Sequence, residues 1–462
     1  MIGRKEELKH LSDLYNSDQF EFLIMYGRRR IGKTTILQEF ASKNNSIFFP
    51  AREKNDALNL EDFSKVIQYH FDKSYIASFK SWEDAFNYIG NKANDRVAII
   101  IDEFPYIVEE NPSIKSILQH VIDHSWKNKN LFLILCGSSV SVMETEIMGR
   151  KSPLHDRQTS TLEIKPFDYL QSSLFFPNYS EKDKLIAYGI LGGVPRYLEA
   201  FDKNKSIEEN IANKIIKNGS YLHEEVDNLL KAELRETNIY SSILSGIANG
   251  KNKIKEISDY IHEDKTKVSK YLVILQTLRL VEKRVPCEES ENSKKTIYVI
   301  KDNFFKFWYR YIFTNDAYYS LLGPEMSAKE IMNDISNHMG GIFEDICKEY
   351  VTKLAKKENL PFIPCQLGRW WGTNPYTKDQ DDVDLLALDK SGKKAILIEC
   401  KFTNKLVPYS EYEDLQNTAK GFANIKDKQL WFISKSGYTS AVTKQAKKDG
   451  VILLTIKDLF NV

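Results

Sequence analysis

Three short runs in the first third of the chain, residues 21–26, 96–101 and 131–135, are dominated by apolar side chains and lack the alternation of a half-exposed strand. Runs apolar on both faces, separated by helical segments, predict buried parallel strands. The first run ends at Gly27, the second at Asp102 and Glu103, the third at Cys136, Gly137, Ser138 and Ser139. A helix is predicted over residues 33–40. Residues 1–165 therefore read as a doubly wound α/β sheet with its polar strand ends gathered on one edge.

Residues 166–235 read as mostly helical, interrupted by Gly192, Gly193, Val194 and Pro195. Over residues 236–312 the pattern predicts helices at 239–248, 254–261 and 266–278, then strands at 280–285 and 296–300. The polar segment 287–295 between those strands is expected to be mobile. Three helices followed by a hairpin is the winged helix-turn-helix layout. The aromatic stretch 304–311 is expected to pack at a domain junction. Gly340 and Gly341 open a predicted helix reaching about residue 356. Residues 313–462 then form a second α/β unit, with strands at 383–388, 395–402 and 429–433.

Composition narrows the class. The 462 residues are 42% hydrophobic, enough to build cores, so wholesale disorder is excluded. The chain carries 65 basic and 64 acidic residues, a net charge of +1. Binding to nucleic acid by bulk charge is thereby excluded, while a local basic patch is not. No apolar run approaches the ~20 residues of a membrane span, and the N-terminus lacks the apolar core of a secretory signal. Five scattered cysteines, never spaced as CxxC, argue against a disulfide framework or a cysteine zinc site. A cytoplasmic protein is expected.

The chemistry begins at Gly27, Arg28, Arg29, Arg30, Ile31, Gly32, Lys33, Thr34 and Thr35. This string fits GxxxxGK[ST] between a strand and a helix, the phosphate-binding P-loop arrangement. Its glycines let backbone N–H groups turn inward around phosphate oxygens, and the helix N-terminus adds partial positive charge. Lys33 can reach the β- and γ-phosphates of a bound nucleotide, and the Thr34 hydroxyl can ligate Mg²⁺. Asp102 is placed to hold the Mg²⁺ shell and Glu103 to polarise the attacking water. Ser138 or Ser139 is placed either to sense the γ-phosphate or simply to form a polar turn.

The predicted helix 266–278 carries Lys267, Ser269 and Lys270 on faces away from its apolar side. They suit phosphate contact, but its first two turns hold no Arg, Asn or Gln to read bases bidentately. DNA contact of low sequence specificity and purely structural use both remain open. Further on, Glu399 and Lys401 share one face of a strand by the period-two rule, and Asp384 enters the neighbouring strand. If those strands pair, two carboxylates for Mg²⁺ and a lysine for the attacking water converge, as phosphodiester cleavage requires. A buried ion pair in an inactive relative is the alternative.

Taken together, "IGRKEEL", "YGRRRIGKTTIL", "IIIDEFPYI", "LILCGSS", "SPLHDRQT" and "GGVPRYLE" resemble the archaeal-type ATPases of the AAA/STAND P-loop superfamily, whose C-terminal region is domain of unknown function 234. The resemblance covers essentially the whole chain. It implies an ATP-binding core, a helical lid over residues 166–235, and a winged helix. It further implies that Gly3 and Arg4 lie beside the nucleotide base and that Pro195 contacts adenine. Where family members often have Tyr-Gly, this chain has His155 and Asp156; the basic residue is kept as Arg157, implied to act on the γ-phosphate in cis or from a neighbouring copy in a homo-oligomer. The D-x14-E-x-K spacing of Asp384, Glu399 and Lys401 is similar to PD-(D/E)XK nucleases, and there Glu344, on the preceding helix, is implied to join the metal site. The expected function is an ATP-hydrolysing switch coupled to DNA with a metal-dependent nuclease module. The alternative is a nucleotide-dependent regulatory or binding protein whose nuclease-like domain is inactive.

Overall fold

A computed structural model describes residues 2–461. The chain divides into two compact units. The first runs to Pro166 and includes Val194–Arg196; the second comprises Phe167–Gly193 and the chain from Tyr197 onward.

The first unit is built on a five-stranded sheet, all parallel, in the order β2-β3-β4-β1-β5. Its strands are β1 (Glu21–Tyr26), β2 (Ser46–Pro50), β3 (Val97–Asp102), β4 (Leu131–Gly137) and β5 (Ser160–Glu163). The three central strands are the apolar runs of the sequence, and every residue in them is buried. Both faces are covered. Phe22, Ile24, Ile99, Ile101, Leu133 and Leu135 belong to one core, with Phe63 and Phe86 from the helices Asp56–Asp72 and Trp82–Lys92. Leu23, Met25, Ala98, Ile100, Phe132 and Ile134 belong to the other, with Ile36, Leu37 and Phe40 from the helix Lys33–Ala41. Neither edge strand was legible in the hydrophobic pattern; β2 and β5 are only partly buried.

In the second unit the helices Thr237–Ala248, Ile254–Ile261 and Lys265–Thr277 precede an antiparallel hairpin of β6 (Val281–Arg284) and β7 (Ile297–Ile300). The segment between these strands was expected to be mobile, and the structure corrects this at its start. Cys287 is buried in the core of the C-terminal sheet, and its N–H donates to the carbonyl of Arg369 at 2.8 Å. Glu288 N–H donates to Gln366 Oε1 at 3.1 Å. The reason is the strand it lies against: an edge strand presents unpaired backbone groups, and this segment satisfies one of them.

That C-terminal sheet is mixed, in the order β12-β11-β10-β9-β8. Its strands are β8 (Gln366–Thr373), β9 (Gln380–Leu388), β10 (Lys394–Lys401), β11 (Asp427–Ser434) and β12 (Ile452–Thr455). β8, β9 and β10 pair antiparallel, whereas β10, β11 and β12 pair parallel. A single helix, Pro324–Lys356, leads into it. It starts sixteen residues before the predicted opening at Gly340, so the two glycines lie in its interior. Glycine there costs about 1 kcal/mol each against alanine, which the buried Ile331, Ile335, Met339, Ile342, Phe343 and Ile346 along the same helix outweigh.

The aromatic stretch is buried within the second unit. Phe304, Phe305, Phe307 and Tyr309 are buried, and Trp308 Nε1 donates to His223 O at 3.1 Å. Gly193 admits no side chain, since a Cβ there would lie 1.8 Å from Phe167 O. All five cysteines are free, and among the described residues no helix is long and apolar enough to cross a membrane.

Candidate functional site

The loop after β1 is shaped by what cannot be added to it. Gly27 has φ +151°, and a Cβ there would lie 2.4 Å from Ile164 O and 2.5 Å from Ile31 Cδ1. Arg30 (φ 70°) and Gly32 (φ 87°) adopt the left-handed conformation that turns the chain into the helix Lys33–Ala41. Ile31 sits in the core beneath. Arg4, following Gly3 in a left-handed turn, is almost wholly buried. Its Nη2 donates to Ile31 O at 3.0 Å and its Nη1 to Glu7 Oε1 at 2.8 Å, so this guanidinium braces the loop. Arg28, Arg29 and Arg30 are half-buried, while Thr34 and Thr35 are exposed on the first helical turn.

Lys33 is 5% exposed, and its Nζ donates to Gly27 O at 2.8 Å and Arg28 O at 2.9 Å. Burial pushes its pKa down, opposed by the nearby Cys136, Glu103 and Asp102. A buried ammonium folded onto carbonyl oxygens of a glycine-framed loop fits a phosphate, which offers it charged acceptors instead.

β4 lies between β3 and β1, so the ends of all three strands share one edge. There Thr34 Oγ1 donates to Asp102 Oδ2 at 2.6 Å. A hydroxyl and a buried carboxylate in contact at a phosphate loop fit a hard divalent cation. Glu103 follows in a left-handed conformation (φ 52°), and its Oε2 accepts from Ser138 N at 3.0 Å and Ser138 Oγ at 2.8 Å. The Ser138 hydroxyl is thus engaged with the Glu103 carboxylate. Ser139 is the N-cap of the turn Val140–Val142. Pro195 belongs to this unit: its Cγ lies 3.9 Å from where a Cβ on Gly32 would stand.

Arg157 is elsewhere. Its Nε lies 3.1 and 3.2 Å from the two carboxylate oxygens of Asp123, and Nη2 is 2.9 Å from Oδ2. It precedes β5, which runs parallel to β1, and Thr159 N–H donates to Phe22 O. Arg157 therefore stands at the strand N-terminal edge, opposite Gly27. The expectation of its action in cis is corrected by that polarity.

In the second unit, the pairing Ile398↔Leu385 sets Glu399 beside Asp384 on adjacent antiparallel strands. Asp384 Oδ2 accepts the Cys400 N–H at 2.8 Å. Lys401 Nζ lies 2.9 Å from Glu399 Oε1 and 2.9 Å from Glu411 Oε2, on the helix Tyr409–Lys420. Arg369, at an irregularity in β8, pairs with Asp382 and lies 3.4 Å from Glu344 Oε2. Burial, then the Asp384 charge, pushes Glu399 up to about 8 and Glu344 up to about 7. Burial likewise raises Asp384. Lys401 is held above its ordinary value because Glu399 and Glu411 outweigh its burial.

Asp384, Glu399 and Lys401 come together as the strand spacing suggested. Glu344 lies near enough for the Asp384 charge to act on it and stands 3.4 Å from Arg369, and among the described residues no group of three or more His, Cys, Asp or Glu stands ready for a metal ion. Pattern reading missed Arg369 and Glu411. Glu411 had a signal, an acid in the first turn of the helix after Lys401; Arg369 had none, because the irregularity in β8 breaks strand alternation.

The parallel sheet, glycine-framed loop and Thr34–Asp102 contact define a P-loop ATPase domain. Residues 1–201 match the family described as an ATPase domain predominantly from Archaea, and residues 308–417 match domain of unknown function 234, described as archaeal and bacterial proteins of unknown function. The uncharacterized protein MJECL04 of Methanocaldococcus jannaschii is 35% identical over 402 residues, 87% of each chain. The chain belongs to the archaeal ATPase family that carries these two regions. The uncharacterized ATP-binding protein MJ0147 of the same organism is 24% identical over 227 residues, 42% of this chain and 59% of that one. Among solved structures, the Walker-type ATPase PABY2304 of Pyrococcus abyssi shares the fold, with TM-score 0.52 and 20% identity over 67% of this chain and 96% of that chain.

The C-terminal carboxylates carry a pH signature. Held above ordinary values, they keep protons in the folded state that the unfolded chain releases above about pH 4. Their favourable contribution is complete below that value and is lost as pH rises through the folded values of about 7 for Glu344 and about 8 for Glu399. Denaturant midpoints are expected to fall between about pH 5 and about pH 8, and Glu399→Gln is expected to flatten the fall. A variant with the wild-type pH slope would contradict this charge distribution.

Proposed function

We propose that the protein is an ATP-hydrolysing switch of the AAA/STAND type coupled to DNA, with the C-terminal acid–lysine cluster as a metal-dependent nuclease module. The observation that carries the ATPase half is the hydrogen-bonded chain Thr34–Asp102 and Glu103–Ser138 at the edge that also holds the Gly27 loop. Lys33 would exchange its loop carbonyls for β- and γ-phosphate oxygens. Thr34 and Asp102 would hold Mg²⁺, which when bound neutralises phosphate charge. Glu103 would orient the attacking water, and Ser138 would keep that carboxylate aimed and acceptor-ready. Pro195, beside Gly32, would contact the adenine base. Arg157 would contribute only from a neighbouring copy.

The nuclease half draws support from two carboxylates on adjoining strands beside Lys401, Asp384 buried and Glu399 half-buried. Both are raised by burial, a cost that a divalent cation held between them would relieve. DNA contact draws support from the helix Lys265–Thr277, which exposes Lys265, Lys267 and Lys270, the second of these paired with Glu263. One observation favours the regulatory reading instead: Lys401 is engaged by two glutamates, and Arg369 already neutralises Glu344 and Asp382.

Two measurements test this reading. In steady-state ATPase assays Glu103→Gln is expected to bind ATP yet lose about 100-fold in turnover, with Ser138→Ala intermediate; wild-type turnover in Glu103→Gln would remove the assignment. With Mg²⁺, wild type is expected to nick plasmid DNA, and Glu399→Ala and Lys401→Ala to abolish nicking. Nicking that persists in both variants, or is absent from wild type, would leave the regulatory reading.

A further inference from the structure

We infer that Tyr376 is a stacking platform for an unpaired base of single-stranded DNA entering the C-terminal acid–lysine cluster. The inference rests on the DNA reading above and narrows its substrate class.

Tyr376 lies in the turn between β8 and β9 and is 62% exposed. A lone exposed tyrosine is ordinary on a protein surface; what surrounds this one is not a loose loop. Asn374, wholly buried two residues earlier, accepts the Tyr376 N–H at 2.8 Å on its Oδ1. Its Nδ2 donates to Asp381 Oδ2 at 2.7 Å, and Thr418 Oγ1 donates to the other oxygen of that carboxylate at 3.1 Å. Gly421 closes the turn from the far side, where a Cβ would lie 2.4 Å from Asn374 Oδ1. The backbone that presents the ring is therefore fixed before any ligand arrives, which limits the entropy cost of binding through it.

The chemistry around the ring suits a nucleotide. Lys420 Nζ stands 5.4 Å from the ring centroid and donates to Asn417 Oδ1 at 2.8 Å, leaving ammonium protons for a phosphate. An aromatic face beside a lysine is the pairing by which proteins hold nucleic acid without reading its sequence. A base offers its face only when unstacked, which selects single strands over duplex. Asp381, which pins the turn, lies three residues before Asp384 on β9, about 10 Å along the strand. Asp381 and Asp384 project from opposite faces of β9, so a strand held on Tyr376 would turn over the β8–β9 end of the sheet, the end that also carries Lys401, to bring a following phosphodiester toward Asp384, Glu399 and Lys401.

The test is fluorescence anisotropy of the full chain with a labelled single-stranded 20-mer (about two helical turns if paired) and with its duplex, Ca²⁺ replacing Mg²⁺ to prevent cleavage. Wild type is expected to favour the single strand. Tyr376→Ala should weaken single-strand binding about tenfold and leave duplex binding unchanged, while Tyr376→Trp retains both. Single-strand binding undiminished in Tyr376→Ala, an equal loss on both forms, or a loss in Tyr376→Trp matching that of alanine would overturn the platform and leave the DNA reading standing. Failure of wild type to bind either form would overturn the DNA reading itself, and the platform with it.

Discussion

The contact from the Thr34 hydroxyl to the Asp102 carboxylate joins the beginning of one helix to the end of a strand two positions away in the sheet. Everything proposed for the first unit depends on that juncture. It exists because β1, β3 and β4 are parallel and buried on both faces, so their C-terminal ends open on one edge. Gly27 lets the intervening loop pass under Ile164 without a side chain, and Arg4 holds Ile31 from behind. The buried Lys33 ammonium then meets two carbonyl oxygens at 2.8 and 2.9 Å, a weaker set of acceptors than phosphate.

The second unit stores its charge differently. Acidic and basic side chains from β8, β9, β10 and the helices Pro324–Lys356 and Tyr409–Lys420 meet at Asp384, Glu399, Lys401, Arg369, Glu344 and Glu411. Buried charges persist only when paired or held by a counterion. Here Lys401 and Arg369 supply part of that compensation, and burial drives the carboxylates toward their protonated forms. The segment at Cys287 adds a structural tie, bonding the hairpin connection to the edge strand that carries Arg369.

Much of this was readable from residue order alone, wherever burial imposes a regular pattern. The runs that became β1, β3 and β4 had no polar face to hide, and the motif from Gly27 to Thr34 states its own geometry. β2 and β5 were not readable, because edge strands are half-exposed and short. Gly340 and Gly341 misled because a helix tolerates glycine when packing along its length outweighs propensity. The residues 287–295 looked mobile because polarity says nothing about a backbone that an edge strand needs. For Arg157 the choice between action in cis and from a neighbouring copy was not readable, because motif order does not reveal which end of a strand a residue lies beside. Arg369 was invisible because one irregularity breaks the alternation that would have shown its face.

The central claim is that the Gly27 loop and Lys33 hold the phosphates of an adenine nucleotide. Isothermal titration calorimetry of the full chain with ATP and Mg²⁺ tests it most directly. Saturable binding at one site per chain, weakened at least about tenfold in Lys33→Ala, is the predicted result. No heat of binding in wild type, or equal affinity in the alanine variant, would contradict it.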